Sequence, residues 1–301
     1  MLIWLNGKII DEKDFYISPL SPTLHYGTGV FEGIRAYEQR KNVAGIFRLK
    51  EHAKRLVYSS KILVGKKVLE EKEIEKAVIE TLKANKVTEA YIRPLFFLSG
   101  GQIGLENIEK SKPSLLVAVV NYPPFLDKKP IKVKISSYRK IPSICQPQNA
   151  KLSANYVNSI LATREAKEAG YDEALLLNIH GKISEGAGEN IFLVKDEIIY
   201  TPPVSEDLLE GITRNSVIKI ADYLGIKVIE KPLSIADLFN ADELFFTGTA
   251  AEIVPIGNVN GFVISEKIGK ITKKIMETFD KIKRGKIKDF SHWITEVEIS
   301  H

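Results

Sequence analysis

The stretch His25-Tyr-Gly-Thr-Gly-Val-Phe-Glu-Gly-Ile-Arg-Ala-Tyr37 contains three closely spaced glycines, Gly27, Gly29 and Gly33. The dinucleotide-binding fingerprint is G-x-G-x-x-G at the start of a helix. Here the spacing is one residue too long, and the residues that follow have the composition of a strand. No Gly-Lys-Ser/Thr follows, which excludes a P-loop. The residues alone therefore predict a loop with positive φ angles that leads into a strand.

The composition is that of an ordinary globular protein. The 301 residues are 44% hydrophobic and 27% charged, enough for one large domain or two ordinary ones with a sizeable core. The formal net charge is +5, but lysines and glutamates alternate, as in residues 70–76. This dispersed pattern favours a solvated surface and argues against a nucleic-acid-binding stripe.

Several features indicate a cytoplasmic protein. Cys145 is the single cysteine, so no internal disulfide can form, which fits a reducing compartment. The N-terminus lacks the charged-then-apolar pattern of a signal peptide. The longest apolar run, residues 115–120, is too short to cross a membrane. The scarcity of Cys, Met and His beside abundant Lys, Glu and Ile hints at a thermophile.

The N-terminal third predicts hairpins and helices. Asn6-Gly7 lies between two apolar runs, which is the strongest short signal for a β-hairpin. Apolar residues recur every four residues along 70–85, which is typical of one face of a helix. The other predicted elements of this third are a helix over 47–60 and strands over 90–97 and 115–120.

Residues 121–130 contain three prolines, which end any helix or strand. This segment predicts a small N-terminal domain over 1–120, an interdomain loop over 121–131 and a larger domain over 132–301. The fold class is therefore α+β with two domains and mixed or antiparallel sheets. In the second domain the predicted strands are 132–137, 173–178, 191–194, 197–201 and 243–247, and the helices are 155–169, 213–224 and from 268 onwards.

Two kinds of catalytic site find no support. The five histidines show no zinc-like spacing with each other or with Cys145, so no metal site is expected. The G-x-S-x-G motif of serine hydrolases is also absent.

Lys151 lies in a small-residue loop, Asn149–Tyr156, just before a predicted helix. It could be an ordinary surface lysine. A lysine without an adjacent acid among small residues can also lose its proton and act as an amine nucleophile.

Three further motifs suggest an acid and anion-binding turns. Glu189 directly precedes an apolar strand, where a carboxylate needs a positive partner. Thr213 begins a predicted helix after Gly211, and this is either an ordinary cap or a phosphate-binding helix start. The turn 247–252 could face an anion. A reactive lysine, a buried acid and a phosphate cup are together the parts of a pyridoxal phosphate site.

These motifs closely resemble the branched-chain amino acid aminotransferases, which belong to the fold type IV pyridoxal phosphate enzymes. The resemblance covers nearly all of the chain and is carried by His25–Tyr37, Phe47–Leu56, Ala90–Leu95, Lys151–Tyr156, Ser184–Asn190, Gly211–Arg214 and Gly248–Glu252. It implies a smaller N-terminal α/β domain and a larger domain with a barrel-like sheet. It also implies a homodimer or a higher assembly such as a hexamer, and transamination between branched-chain L-amino acids (Leu, Ile, Val) and 2-oxoglutarate.

The resemblance also implies a role for each cofactor-binding residue. Lys151 would form a Schiff base with pyridoxal phosphate and move the proton during a ping-pong reaction. Tyr156 would hydrogen-bond the phenolic oxygen, and Glu189 would pair with the pyridine nitrogen. Arg55 would bind the phosphate as a bidentate fork. The other phosphate-binding residues would be Ile212, Thr213 and Thr249.

The same resemblance implies a substrate pocket. Tyr26 and Phe31 would form its apolar walls, with Gly33 leaving room for a branched side chain. Arg93 would pair with the γ-carboxylate of glutamate. The turn Gly248-Thr249-Ala250, with Tyr91, would bind the α-carboxylate. Tyr122 and Phe125 would form an aromatic lid, and the loop 100–105 would reach into a neighbouring subunit.

Alternatives stay open within the same fold. A D-amino acid aminotransferase or an aminodeoxychorismate lyase would share Lys151 and Glu189. The pair Tyr91 and Arg93 favours the branched-chain L-enzyme. The segment after Lys151 departs from the family pattern because it lacks the usual glycines, and Pro123-Pro124 lies beside the lid. Both departures bear on the range of substrates more than on the reaction.

Overall fold

The computed structural model describes residues 1–101, 103–120 and 129–300. In these ranges the helices are α1 (Pro22–Tyr26), α2 (Leu49–Val64), α3 (Glu71–Asn85), α4 (Tyr156–Glu168), α5 (Ile212–Tyr223), α6 (Ile235–Phe239) and α7 (Lys270–Lys283). Among the described residues, no helix has the length and apolarity needed to span a membrane.

The strands are numbered in chain order. They are β1 (Leu2–Leu5), β2 (Lys8–Asp11), β3 (Gly29–Phe31), β4 (Ile34–Arg40), β5 (Val43–Phe47), β6 (Ala90–Gly100), β7 (Lys112–Val120), β8 (Ile131–Arg139), β9 (Glu173–Leu177), β10 (Ile183–Gly186), β11 (Asn190–Lys195), β12 (Ile198–Thr201), β13 (Val228–Glu230), β14 (Glu243–Gly248), β15 (Glu252–Val259), β16 (Phe262–Val263) and β17 (Ile294–Glu298).

The chain forms two compact units. The first consists of the described residues within Met1–Pro123, Ala150–Ala154 and Lys281–His301, and the second of those within Pro124–Asn149 and Asn155–Asp280. The units differ from the predicted domains in the two short returning segments. Residues 294–298 join the first unit because β17 pairs antiparallel with β5. Leu152 joins it through a bridge to Val30.

The first unit is built on one sheet with the strand order β17-β5-β4-β6-β7-β1-β2, and β3 pairs with β6. Helix α2 packs against α3, which contacts β1 and β7. The apolar side chains between helices and sheet form one core, including Ile34, Leu56, Ile74 and Phe96. Leu152 also belongs to this core, which anchors the segment that carries Lys151.

The predicted hairpin is confirmed at the N-terminus. β1 and β2 pair through Leu5 and Lys8, and Asn6 (φ 46°) and Gly7 (φ 93°) form the turn, as expected for Asn-Gly. The helix predicted over 47–60 begins later, at Leu49. Phe47 instead ends β5, where it pairs with Ile294, a long-range partner that local periodicity does not reveal.

The second unit contains a mixed sheet with the order β10-β9-β8-β15-β14-β11-β12-β13, and β16 pairs with β15. β8 runs parallel to β9 and β15, and β12 runs parallel to β13. The other pairings are antiparallel, for example β11 with β14. Helix α4 packs on β8 and β9, and α5 contacts β14. The predicted α+β class with a mixed sheet is confirmed.

Candidate active site

The backbone of Lys151 is fixed on both sides within the first unit. Its N–H donates to the hydroxyl of Ser59 on α2 at 3.0 Å. Its carbonyl accepts from the N–H of Phe31 in β3 at 3.2 Å. The Lys151 ammonium nitrogen lies 5.0 Å from the centroid of the Phe31 ring. The lysine predicted from its loop therefore stands on ordered structure rather than on a free surface.

The surroundings of Lys151 favour its neutral form. Burial, and next the positive charge of Arg55, lower the pKa of Lys151 from 10.5 to about 8, although Glu32 and Tyr91 act in the opposite direction. An amine with this pKa is partly unprotonated near neutral pH, and the unprotonated amine is the nucleophile and the base.

Arg55 is held by a carboxylate that the sequence reasoning did not single out. Glu32 follows β3 and is fully buried. Its two oxygens accept from Arg55 Nε at 2.7 Å and from a terminal Arg55 nitrogen at 2.9 Å. The same carboxylate lies 2.7 Å from Nδ1 of His52. His52, Arg55 and Ser59 lie on one face of α2 because their spacing follows the helical repeat.

Glu32 is ionised in this cluster. Burial raises its pKa, but the charge and hydrogen bonds of Arg55 and the hydrogen bond of His52 outweigh it and lower the pKa to about 2. Burial lowers the pKa of His52, against the pull of Glu32. An ionised carboxylate only accepts hydrogen bonds, so Nδ1 of His52 carries the proton and donates it. Two of the five N–H donors of Arg55 are thus directed at Glu32 rather than at a ligand.

Tyr91 and Arg93 point to the same side of β6, because side chains two residues apart in a strand share a face. Arg93 donates to the Tyr91 hydroxyl at 2.9 Å, and its guanidinium lies 4.5 Å from the Phe31 ring centroid. Arg93 Nε is buried and has no hydrogen-bond partner within the described residues. Phe31, Tyr91 and Arg93 are thus brought together as expected.

Gly33 has a different physical reason from the one expected. A Cβ atom at this position would lie 2.0 Å from the Tyr91 hydroxyl, so the missing side chain makes room for Tyr91. Of the three glycines in this stretch, only Gly27 has a positive φ, at 64°. The predicted strand after the glycines is β4.

Tyr26 contacts another part of the first unit, where its hydroxyl accepts from the N–H of Gly104 at 3.0 Å. This hydrogen bond ties the end of α1 to the 100–105 loop. Tyr122 and Phe125, the predicted aromatic lid, lie outside the described residues.

In the second unit, Glu189 immediately precedes β11 and is buried. Its carboxylate accepts from the N–H of Gly188 at 3.0 Å. A Cβ on Gly186 would lie 3.0 Å from a Glu189 oxygen, and one on Gly248 would lie 3.4 Å from its Cγ. The two glycines therefore let the backbone approach this acid closely.

Helix α5 begins one residue earlier than predicted, at Ile212, with Gly211 as its N-cap and no side-chain capping hydrogen bond. The ordinary threonine cap is therefore wrong for Thr213, which lies buried in the first turn. Thr249 and Ala250 occupy the turn between β14 and β15, and Tyr156 is the first residue of α4. A bare helix start and a small-residue turn both present backbone N–H groups suited to anions.

Comparison with known proteins gives the family. Residues 29–259 match the family described as amino-transferase class IV. The branched-chain-amino-acid aminotransferase of Escherichia coli (strain K12) is 38% identical over 300 residues, which cover 98% of this chain and 97% of that protein.

Solved structures agree with this comparison. A branched-chain aminotransferase from the thermophilic archaea Thermoproteus uzoniensis, with norvaline, has a TM-score of 0.94 and 43% identity, covering 98% of this chain and 99% of that one. A second branched-chain amino acid aminotransferase, complexed with N-(5'-phosphopyridoxyl)-L-glutamate and from the organism abbreviated T.th., has a TM-score of 0.92 and 38% identity, covering 98% and 97%. The predicted family is confirmed, and this chain belongs to the class IV aminotransferases.

Proposed function

We propose that this protein is a pyridoxal phosphate-dependent aminotransferase that exchanges amino groups between branched-chain L-amino acids and 2-oxoglutarate. The observation that carries the proposal is Lys151, an amine whose pKa is lowered to about 8 on a backbone fixed by Ser59 and Phe31. Relatives that are named for this activity and match almost the whole chain support it.

The residues present fit the cofactor. Lys151 supplies the amine, and Arg55 supplies a cation held in place by Glu32. In the second unit, the bare N-cap at Gly211 and the close approach of Gly248 to Glu189 suit a phosphate and a protonated ring nitrogen. Bound pyridoxal phosphate supplies an aldehyde that condenses with amines and a ring that withdraws electrons from the substrate Cα.

The residues of the chain have distinct tasks in this reaction. Lys151, when neutral, accepts a proton from the substrate Cα and returns it, as a general base and acid. Glu189 accepts a hydrogen bond from the protonated ring nitrogen, and Tyr156 bonds the phenolic oxygen. The phosphate is bound by Arg55, Ile212, Thr213 and Thr249.

Substrate selection follows from the cluster around β6. Phe31 and Tyr26 provide apolar walls, and Arg93 pairs with the γ-carboxylate of glutamate. Arg93 lies over the Phe31 ring, so the charge is held against an apolar wall that an aliphatic side chain can share. The α-carboxylate is bound by Gly248, Thr249 and Ala250, with Tyr91.

We further propose a cytoplasmic homodimer or a larger assembly such as a hexamer. Leu24, Ile103 and Leu105 of the first unit are exposed, and exposed apolar side chains close in the fold favour an interface. Size-exclusion chromatography with light scattering measures the mass directly, and a monomer at working concentration would contradict this part.

An absorption spectrum with added substrates tests the function. The cofactor band of the loaded protein should shift with L-leucine and return with 2-oxoglutarate. The matched variants are Lys151→Ala and Lys283→Ala, a second buried lysine of the same unit. Only the first should lose the response. A response to D-alanine and not to L-leucine would contradict the proposed substrate, and the absence of any band after incubation with pyridoxal phosphate would contradict the function.

A further inference from the structure

Glu185 is a buried carboxylate of the second unit, in the Ser184–Asn190 motif, that the proposed function leaves without a role. One oxygen lies 2.5 Å from Nζ of Lys140. The other accepts from the side-chain amide of Asn190 at 3.1 Å and from the N–H of Leu209 at 3.1 Å. Lys140, Glu185 and Asn190 are all buried, and a buried charge persists only when it is paired and hydrogen-bonded.

Asn190 connects this acid to the chain that enters α5. The same amide that donates to Glu185 also donates to the carbonyl of Leu209 at 2.9 Å. Glu185 and Asn190 together therefore satisfy both the N–H and the C=O of Leu209. The Asn190 side-chain oxygen occupies the space beside Gly211, where a Cβ would lie only 2.0 Å away. Two side chains thus fix the backbone over residues 209–211.

The position of these contacts gives them a consequence for anion binding. Gly211 is the N-cap of α5 and has no side-chain capping hydrogen bond, so the entry to the helix is held by its neighbours. Asn190 is also paired with Thr247 of β14, immediately before the turn Gly248–Ala250. One asparagine therefore contacts the starts of both backbone segments that are suited to anions.

We infer that Glu185 and Asn190 are positioning residues that place the first turn of α5 to receive the cofactor phosphate, while Lys140 balances the charge of Glu185. The inference rests on the proposed function. It assigns these residues to phosphate affinity and not to the reactivity of the Lys151 amine, because their contacts end on the backbone before α5. Groups held to within a fraction of an ångström bind a rigid anion far better than displaced ones.

The test compares pyridoxal phosphate with pyridoxal, which lacks the phosphate. Apoproteins of the parent, Glu185→Gln and Asn190→Ala are titrated with each compound, and the ratio of the two dissociation constants is measured. We expect the variants to bind pyridoxal phosphate about tenfold more weakly, the size of one lost hydrogen bond to an anion. Pyridoxal binding should change little. The ³¹P NMR shift of the bound cofactor should also move.

Asn178→Ala is the matched control. Asn178 is a buried asparagine of the same unit, bonded to Glu206 and to the N–H groups of His180 and Lys182. Its loss should lower the melting temperature without changing the ratio of the two dissociation constants. Asn190→Ser is the second variant if Asn190→Ala does not fold.

Two outcomes would overturn the inference while the proposed function stands. One is an unchanged ratio in Glu185→Gln and the Asn190 variants. The other is the same change of ratio in Asn178→Ala. A parent protein that binds neither compound would overturn the proposed function and this inference with it.

Discussion

Glu32 in the first unit and Glu185 in the second are both buried carboxylates, but they are neutralised in different ways. Glu32 receives the side-on edge of Arg55 and a hydrogen bond from His52. Glu185 receives one lysine together with an uncharged amide and a backbone N–H. The first arrangement places fixed charges near Lys151, whereas the second orders a stretch of backbone. The difference separates residues that set reactivity from residues that set position.

The largest expected effect comes from removing the negative charge of the first cluster. Glu32→Gln leaves Arg55 buried without a counter-charge, and we expect a loss of about 3–5 kcal/mol in the free energy of unfolding. Chemical denaturation of the apoprotein measures it. Glu296→Gln is the control, because its ion pair with Arg40 is exposed and worth at most about 1 kcal/mol. Equal losses in both variants would contradict the difference in burial.

Glu185→Gln is expected to cost less, about 1–3 kcal/mol. The amide keeps an acceptor for the neighbouring donors, and Lys140 has a long apolar stem that lets its ammonium move towards water. The same denaturation experiment measures this loss. A loss as large as that of Glu32→Gln would show that the two carboxylates are held with equal strength.

The sequence predicted the parts of the site better than their connections. Lys151, Glu189 and the start of α5 carry local signals, namely small residues, an acid before an apolar strand and a glycine before a helix. The pairing of Glu32 with His52 and Arg55 has no local signal, since a strand end and a helix face meet only in the fold. Glu32 did lie inside the His25–Tyr37 motif, so an acid among apolar residues was the available clue.

The same limit applies to the fold. The Asn-Gly hairpin depends on neighbouring residues, and it was predicted correctly. The end of β5 at Phe47 and the return of β17 to the first unit depend on a partner almost 250 residues away. No periodicity within a short window contains that information.

The pH dependence of stability sharpens the account of Lys151. Its pKa is about 8 in the folded protein, against 10.5 for an ordinary lysine, so the unfolded chain binds more protons between these values. Stability attributable to this group therefore rises as the pH rises from about 8 to 10.5. Apoprotein Lys151→Met should be more stable than the parent at neutral pH and lose that advantage across this window. An advantage that does not change with pH would contradict the lowered pKa.

Arg55→Met tests the source of the lowered pKa. Arg55 is the main neighbouring charge that lowers it, so its removal should raise the pKa of Lys151 in the apoprotein. Competitive acetylation at several pH values, read by mass spectrometry, gives the pKa. Lys283 serves as an internal reference in the same digest. An unchanged or lower pKa for Lys151 would contradict the effect assigned to Arg55.

The smallest expected effect concerns Gly33. Gly33→Ala should displace Tyr91 and cost about 1–3 kcal/mol, the usual penalty of overpacking. After Tyr91→Ala the same change should cost much less, as a double-mutant cycle would show. Gly100→Ala is the control, because a Cβ there would meet its nearest neighbour only at 4.0 Å. Additive effects at positions 33 and 91 would contradict the contact.

The identity of the reacting lysine is tested most directly by reducing the cofactor-loaded protein with borohydride and mapping the labelled peptide by tandem mass spectrometry. The account expects the phosphopyridoxyl mass on the peptide that contains Lys151 and on no other lysine. A label on a different lysine, or a protein that takes up the cofactor and yields no labelled peptide, would contradict it.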